Sequence, residues 1–267
     1  MSAFKQGSFT FRGSISGFVP SIAGGDPDHD ITVSPGAARS DDGAATLEAA
    51  AAITKKIDVN WAEGDNQGGF PSGLTLTADT WYKYFAIRRS SDGNVDYGFD
   101  ASLSATNLLA DATDYANPRY IGSVLTDVSA NIIAFTPIEI TGGGIMVLWD
   151  APPLDVDVAD VGTAEVLRTV STPLDKRTLG KFVLFNHGSL DNDVHLLSSL
   201  DIPDSAPSIT TAIGSTSGNV SSSPDQTSLM SVIEVLTNLS SQIRSRDTNA
   251  TADLRITTIG YTDFRTV

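Results

Sequence analysis

The stretch Thr80–Asp100, TWYKYFAIRRSSDGNVDYGFD, decides the fold. In its first half Trp81, Lys83, Phe85 and Ile87 share one parity, and Tyr82, Tyr84 and Ala86 share the other. Side chains on a strand alternate between its two faces, so apolar residues at both parities predict a strand buried on both sides. Asp92-Gly93 then falls between two β-forming runs. That dipeptide suits a tight reversal, and the whole stretch predicts a hairpin.

Working outward, the same style recurs. Ile31–Gly36, ITVSPG, is a short alternating strand closed by Pro35-Gly36, and SDDG at 40–43 is a turn. ITKKIDVNW alternates from Ile53 and predicts a strand. Ala44–Ala52, AATLEAAAA, carries helical propensity and stays open between helix and strand. Tyr120–Asp150 predicts three short strands broken by DVSAN and by the glycines at 142–144. VLRTVSTP, KFVLFNHG, VHLLSSL, SLMSVIEVLTN and ADLRITTIGYTDFR continue the pattern in the second half. No fixed-period repeat links the halves.

Composition agrees. Of the 32 acids, 27 are aspartate and five are glutamate. Aspartate is a poor helix former that accepts backbone hydrogen bonds in turns, so this bias predicts many turns and few helices. The expected fold is all-β: two antiparallel β-sandwich, jelly-roll-like domains with an extended N-terminal arm. The arm covers residues 1–30, the first domain 31–150 and the second 151–267, the boundary being set by the prolines and acids of DAPPLDVDVADVG. Phe4, Phe9, Phe11 and Phe18 are spaced by small polar residues in the arm. An arm cannot bury them alone, which makes Phe4, Phe9 and Phe11 candidate assembly contacts.

Several function classes are excluded or disfavoured. A net charge of −15 disfavours nucleic acid and anionic membrane as partners, because both repel the chain. No apolar run approaches the roughly 20 residues of a membrane-spanning helix, and no secretory signal is evident at the N-terminus. The absence of cysteine removes disulfides, thiolate-bound metals and cysteine nucleophiles. No cofactor is expected.

Candidate sites are sparse. His187 and His195 flank GSLDNDV, so a His/Asp/Ser set can be drawn with Ser189 and Asp191 or Asp193. No Gly-x-Ser-x-Gly elbow accompanies it, and a hairpin turn explains the segment. His29 is the third histidine. The Asp-rich segments 26–30, 155–160 and 191–193 lack an EF-hand pattern. Alternation of Leu154, Val156 and Val158 against Asp155 and Asp157 predicts a half-exposed strand rather than a cation site. Arg244, Arg246, Arg255 and Arg265 form either a basic strip or cross-strand partners for aspartates, the second being favoured. Trp61 and Trp149 are the candidate glycan or partner contacts, since exposed indoles stack on sugars.

Two longer segments carry a resemblance. ITKKIDVNWAEGDNQGGFPSG with DTWYKYFAIRRSSDGNVDYGFDAS, then YANPRYIGSVLTD and IIAFT, resembles an N-terminal module of tailed-bacteriophage and prophage structural proteins of the tail-fibre type. The matching positions are Lys55 or Lys56 with Asp58 and Trp61; Gly64, Gly68 and Gly69; Thr80 with Tyr82 or Tyr84; Asp92 and Asp96; and Arg119 with Ile121-Gly122-Ser123. LTNLSSQIRSR and LRITTIGYTDFR look like the closing segment of such chains. A single arginine precedes the Ile-Gly-Ser run, where the family often has two.

The resemblance implies a β-rich virion component with no catalytic set, assembled in the host cytoplasm as a symmetric oligomer such as a trimer. Its expected partners are other virion proteins, further copies of itself and host-surface glycan. The expected role is a tail-fibre or baseplate-associated subunit contributing to host attachment. A head-decoration or head-spike protein is the alternative within that class. A capsular-polysaccharide hydrolase and a carbohydrate-binding module are alternatives from other classes.

Overall fold

The structure, a computed structural model, describes residues 13–159, 161–187, 194–208, 218–220, 228–248 and 250–265. It is nearly all β, with twenty strands and one short helix among the described residues. The chain divides into two compact units.

Unit 1 takes most of the first half. Its elements are β1 (Ile15–Gly17), β2 (Pro20–Ile22), β3 (Asp30–Val33), β4 (Gly36–Arg39), β5 (Thr46–Ala49), β6 (Ile53–Asn60), β7 (Gln67–Phe70), β8 (Trp81–Arg89), β9 (Val95–Asp100), α1 (Thr106–Asp111) and β10 (Tyr115–Leu125). They form three sheets, ordered β1-β4-β5, β2-β3-β6-β7 and β10-β8-β9. Strand β8 is buried on both faces from Trp81 to Ile87 and pairs with β9 around the Asp92-Gly93 turn, as its parity predicts. Its even face carries Tyr82 against Phe70 and Tyr84 against Phe99, at 5.2 and 4.3 Å between ring centroids. Its odd face packs Phe85 and Ile87 against Leu108 and Tyr120.

The helix was not expected from ATNLLADATDYANP, and six residues are too few to nucleate one unaided. Asp100 at the end of β9 provides the missing stabilisation. Its carboxylate accepts from the backbone N–H of Leu108 at 2.8 Å and that of Ser102 at 2.8 Å, and from the Asn107 amide at 2.9 Å. Leu108 then sits where a side chain on Gly98 would stand; a Cβ there would meet its Cδ1 at 2.4 Å. Ala44–Ala52, open between helix and strand in the sequence, contains β5.

Two expectations about the first half are corrected. Residues 13–30 are not an extended arm: β1 pairs with β4, β2 pairs with β3, and Phe18 is fully buried edge-on to Tyr97. Phe4, Phe9 and Phe11 lie outside the described residues. The unit is also not purely antiparallel, because β6 and β7 run parallel with Lys55 beside Gln67. Parallel neighbours usually need a crossover of a dozen residues or more. Here the chain returns along residues 61–66, since five strand steps back from Asn60 to Lys55 span roughly 16 Å and seven extended steps reach about 23 Å. Gly68 permits the close approach, as a Cβ there would meet the Asn60 carbonyl oxygen at 2.0 Å.

Unit 2 holds β11 (Phe135–Glu139), β12 (Ile145–Trp149), β13 (Leu154–Val158), β14 (Val166–Thr169), β15 (Leu179–His187), β16 (Val194–Ser198), β17 (Gly218–Val220), β18 (Ser228–Leu236), β19 (Gln242–Asp247) and β20 (Asp253–Asp263). A six-stranded sheet runs β11-β12-β20-β15-β18, with β13 also on β20; a four-stranded sheet runs β14-β19-β16-β17. Phe182, Leu184, Ile233, Leu254 and Ile256 of the first share one hydrophobic cluster with Leu197 and Ile243 of the second. Strands β15 and β16 therefore lie in different sheets, and the hairpin expected between His187 and His195 is not formed. The division does not fall at residue 151 either. Among the described residues, 139–145 and 264–265 belong to unit 1, whereas 134–138 and those between 146 and 263 form unit 2. The return is fixed by Arg265, fully buried in unit 1 with its guanidinium on the carbonyls of Gly17 and Phe18, both at 2.9 Å.

Candidate functional site

The return segment 61–66 carries the side chains of the most chemically distinctive site. Its backbone is held from both sides: Trp61 N–H donates to the Phe70 carbonyl at 2.7 Å, and Ala62 N–H to that of Gly68 at 3.0 Å. From beneath, the fully buried Lys55 ammonium donates to the carbonyls of Ala62 at 2.5 Å and Gly64 at 3.1 Å, and pairs with Asp96 at 3.0 Å. Asp96 in turn accepts from Gly64 N–H at 2.8 Å. Burial pushes the Lys55 ammonium below its ordinary range and the Asp96 carboxyl above its own, because the low-dielectric surroundings disfavour both charged forms. Their mutual attraction opposes both shifts.

Trp61, half-buried, is fixed by its indole N–H on the Tyr97 carbonyl at 3.0 Å. It meets Tyr115 edge-on, with centroids 5.4 Å apart, and the Lys55 ammonium lies 5.3 Å from its ring centre. Arg89 closes the side, binding Glu63 and Asp92 and lying 6.0 Å from the Tyr115 ring centre. The Arg89 guanidinium beside Asp92 holds that carboxyl down at about 2. Burial raises the Tyr115 phenol above its ordinary range. Across from the return segment, the last residue of α1 and the turn after it contribute Asp111 to Asp114; Asp111 accepts from the Ser72 backbone N–H and from its hydroxyl at 2.9 Å.

Together these residues line a cleft of about 170 Å3: Trp61 and Tyr115 as aromatic walls, Glu63, Asp111 and Asp114 as acids, with Ala112 and Thr113 between them. Drug-sized ligands occupy pockets of roughly 300–1,000 Å3, so this cleft suits one ring-sized group. A larger open groove of about 570 Å3 lies along Ser14–Ser16 and Glu139–Gly143. Its one charged side chain, Glu139, is engaged by Gly17 N–H at 2.9 Å, which leaves that groove without a chemical constellation.

The other expected sites resolve as follows. Trp149 is 4% exposed, its indole N–H on the Ser171 carbonyl at 3.3 Å, so it presents no stacking face. His195 does pair with an aspartate, but with Asp247 on the neighbouring strand, at 2.6 Å. Both side chains are fully enclosed and cannot reach a substrate. Ser189, Asp191 and Asp193 lie outside the described residues. Asp247 was legible in principle, since Ile243, Ser245 and Asp247 share the inward parity of β19.

Asp26 bonds Asp28 N–H and His29 within a turn, and no cluster of three or more potential metal ligands occurs among the described residues. Asp155 is spent on Ser171 and Thr258, and Asp157 on Arg255 at 2.8 Å. Arg244 pairs with Glu165 at 2.8 Å and Arg246 with Asp204, so the arginines serve their neighbours and not a basic strip. Compared with known proteins, the chain matches no family and none of the curated sequences.

Proposed function

We propose that the protein is a non-enzymatic structural component of a tailed-bacteriophage virion, a tail-fibre or baseplate-associated subunit that contributes to host attachment. In this reading it assembles in the host cytoplasm, binds other virion proteins and further copies of itself, and each unit is a β-sandwich of the jelly-roll kind. The hydrophobic cluster shared by both sheets of unit 2 supports that architecture for the second unit. The segments that resemble tail-fibre modules support the virion assignment.

The observation that carries the attachment role is the cleft at Trp61 and Tyr115. A half-exposed indole beside carboxylates and a threonine is a combination that stacks on a sugar ring and bonds its hydroxyls. A cleft for one ring binds weakly alone, and repetition over copies on a particle multiplies the effect through effective concentration. Host-surface polysaccharide fragments should alter tryptophan fluorescence in the parent and not in Trp61→Ala. Trp81 and Trp149 are 8% and 4% exposed, so Trp61 dominates the solvent-sensitive signal. No response to any fragment would remove the cleft from the reading, and failure of antibodies against this chain to label virions would remove the virion assignment.

The carboxylates in the cleft favour a second reading as a capsule hydrolase. Glycosidases use two carboxyl groups, one of which delivers a proton. Glu63 is held by Arg89 and Asp111 by Ser72, leaving Asp114 as the cleft acid with no side-chain bond among the described residues. New reducing ends after incubation with host polysaccharide would decide for the hydrolase.

A further inference from the structure

We infer that Lys55 and Asp96 form a self-modification site, in which the Lys55 amine condenses with the Asp96 side-chain carboxyl, with loss of water, to give an isopeptide bond between β6 and β9. The two residues are 41 positions apart in the chain and meet inside unit 1. Without cysteine, the chain has no disulfide chemistry for such a tie. An amide between side chains already in contact can supply it.

The geometry suits attack of the amine on the carboxyl carbon. Lys55 Nζ stands 3.0 Å from one Asp96 oxygen, Oδ1, and 3.2 Å from the other, Oδ2. The carbon between those oxygens therefore lies within about 3.5 Å of the nitrogen, the range of near-attack arrangements. The other contacts of Nζ are the carbonyl oxygens of Ala62 at 2.5 Å and Gly64 at 3.1 Å. A neutral amine has two N–H groups and one lone pair. The two carbonyls take the N–H groups, which leaves the lone pair directed at Asp96.

The carboxyl is held by two backbone donors, Tyr97 N–H on Oδ1 at 2.7 Å and Gly64 N–H on Oδ2 at 2.8 Å. Donors so placed stabilise the negative oxygen of a tetrahedral intermediate. The two side chains are 0% and 3% exposed, and the Trp61 ring centre lies 5.3 Å from Nζ. Gly69 is pressed against the lysine stem, since a Cβ there would meet that of Lys55 at 3.0 Å. Burial shifts both groups toward the reacting forms, lowering Lys55 toward the free amine and raising Asp96 toward the carboxylic acid. Shielding from water also protects the amide once it has formed.

The step balances without a co-reactant. The Nζ–Cγ bond forms and the Cγ–Oδ2 bond breaks. Oδ2 leaves with the carboxyl proton and one Nζ proton as water, Oδ1 remains on Tyr97 N–H as the amide oxygen, and the remaining amide N–H stays on the Ala62 carbonyl. This is one turnover within the chain, and the inference depends on neither the cleft nor the virion assignment.

Mass spectrometry of the denatured protein tests it. The parent should be lighter than its sequence by one water, and trypsin should release one branched peptide joining residues 40–56 to 90–119, because an acylated Lys55 resists cleavage. Lys56→Arg should keep the branched peptide. Lys55→Arg should have its full sequence mass and give two separate peptides. Asp96→Asn should condense with loss of ammonia instead of water, arriving at the parent's final mass and the same branched peptide. A succinimide at Asp92-Gly93 would also remove one water, but it would leave the two peptides separate. A parent at its full sequence mass, a deficit confined to 90–119, or a link at the buried pair Lys176–Asp263 of unit 2 in its place would overturn the inference.

Discussion

At the scale of single residues, aspartate supplies the turns. Asp42 accepts from Ala44 N–H, Asp92 from Asn94 N–H, and Asp127 from the N–H groups of Ser129 and Asn131. These bonds lower all three carboxyls; the leading cause is the Ser40 hydroxyl for Asp42, the Arg89 side chain for Asp92 and the Asn131 N–H for Asp127. The excess of aspartate over glutamate was legible as a turn signal for this reason. Asp92 gives a pH prediction. Its carboxyl titrates at about 2 in the fold against 3.8 ordinarily, so its contribution is complete above pH 3.8 and disappears as the pH falls to 2. The melting-temperature gap between the parent and Asp92→Asn should be constant from pH 7 to 5 and close between pH 4 and 2. A gap that persists at pH 2 would refute the assignment.

Lys55 and Asp96 are the opposite case, a buried pair whose desolvation works against both charges. Removing one partner strands the other, so Lys55→Met should cost about 3–5 kcal/mol in urea unfolding. The double variant Lys55→Met with Asp96→Leu should lose less than the single one. It should still lose the glycan response if the cleft reading holds, because the return segment under Trp61 would then have no clamp. Strand parity groups Lys55 with Ile53 and Ile57 and Lys56 with Thr54 and Asp58, and Lys55 is the one fully buried while Lys56 is half-buried. The partner of Lys55 was not legible, because Asp96 lies 41 residues away.

At the scale of elements, β8 and its hairpin were readable because a strand buried on both faces writes its environment at every position. The helix α1 was not readable, because its decisive contact comes from outside it. Asp100 holds its first turn, and Leu108 fills the space left by Gly98. Hydrogen bonds to a charged group contribute about 1.5–3 kcal/mol, so Asp100→Ala should destabilise unit 1 by about 2 kcal/mol. Hydrogen exchange should show the loss concentrated in residues 102–112. The parallel β6–β7 pair was hidden for a similar reason: a short connection argues for a hairpin, and only the return of the chain along 61–66, through a bend and a turn, permits the alternative. That same return produces the cleft, by bringing Trp61 and Glu63 beside the turn that follows α1.

For the whole molecule, the chain order and the unit order differ. Arg265 belongs to unit 1, where its guanidinium bonds the carbonyls of Gly17, Phe18 and Gly143, while its own carbonyl accepts from Arg119 at 2.8 Å. Arg265→Ala should therefore lower exchange protection in β1 and β2 of unit 1 and leave β15 and β18 of unit 2 unchanged. A change confined to unit 2 would contradict the division. By itself the sequence determined what is local or periodic: an all-β chain, the β8–β9 hairpin, the turn-forming aspartates and the exclusion of thiol chemistry. Only the tertiary structure decided the partners of Lys55, Arg265 and His195, the burial of Trp149 against the half-exposure of Trp61, and the membership of residues 13–30 in unit 1. Strand parity is written every two residues and can be read in place, whereas these contacts join residues tens to hundreds of positions apart, whose pairing is set by how the sheets close around their cores.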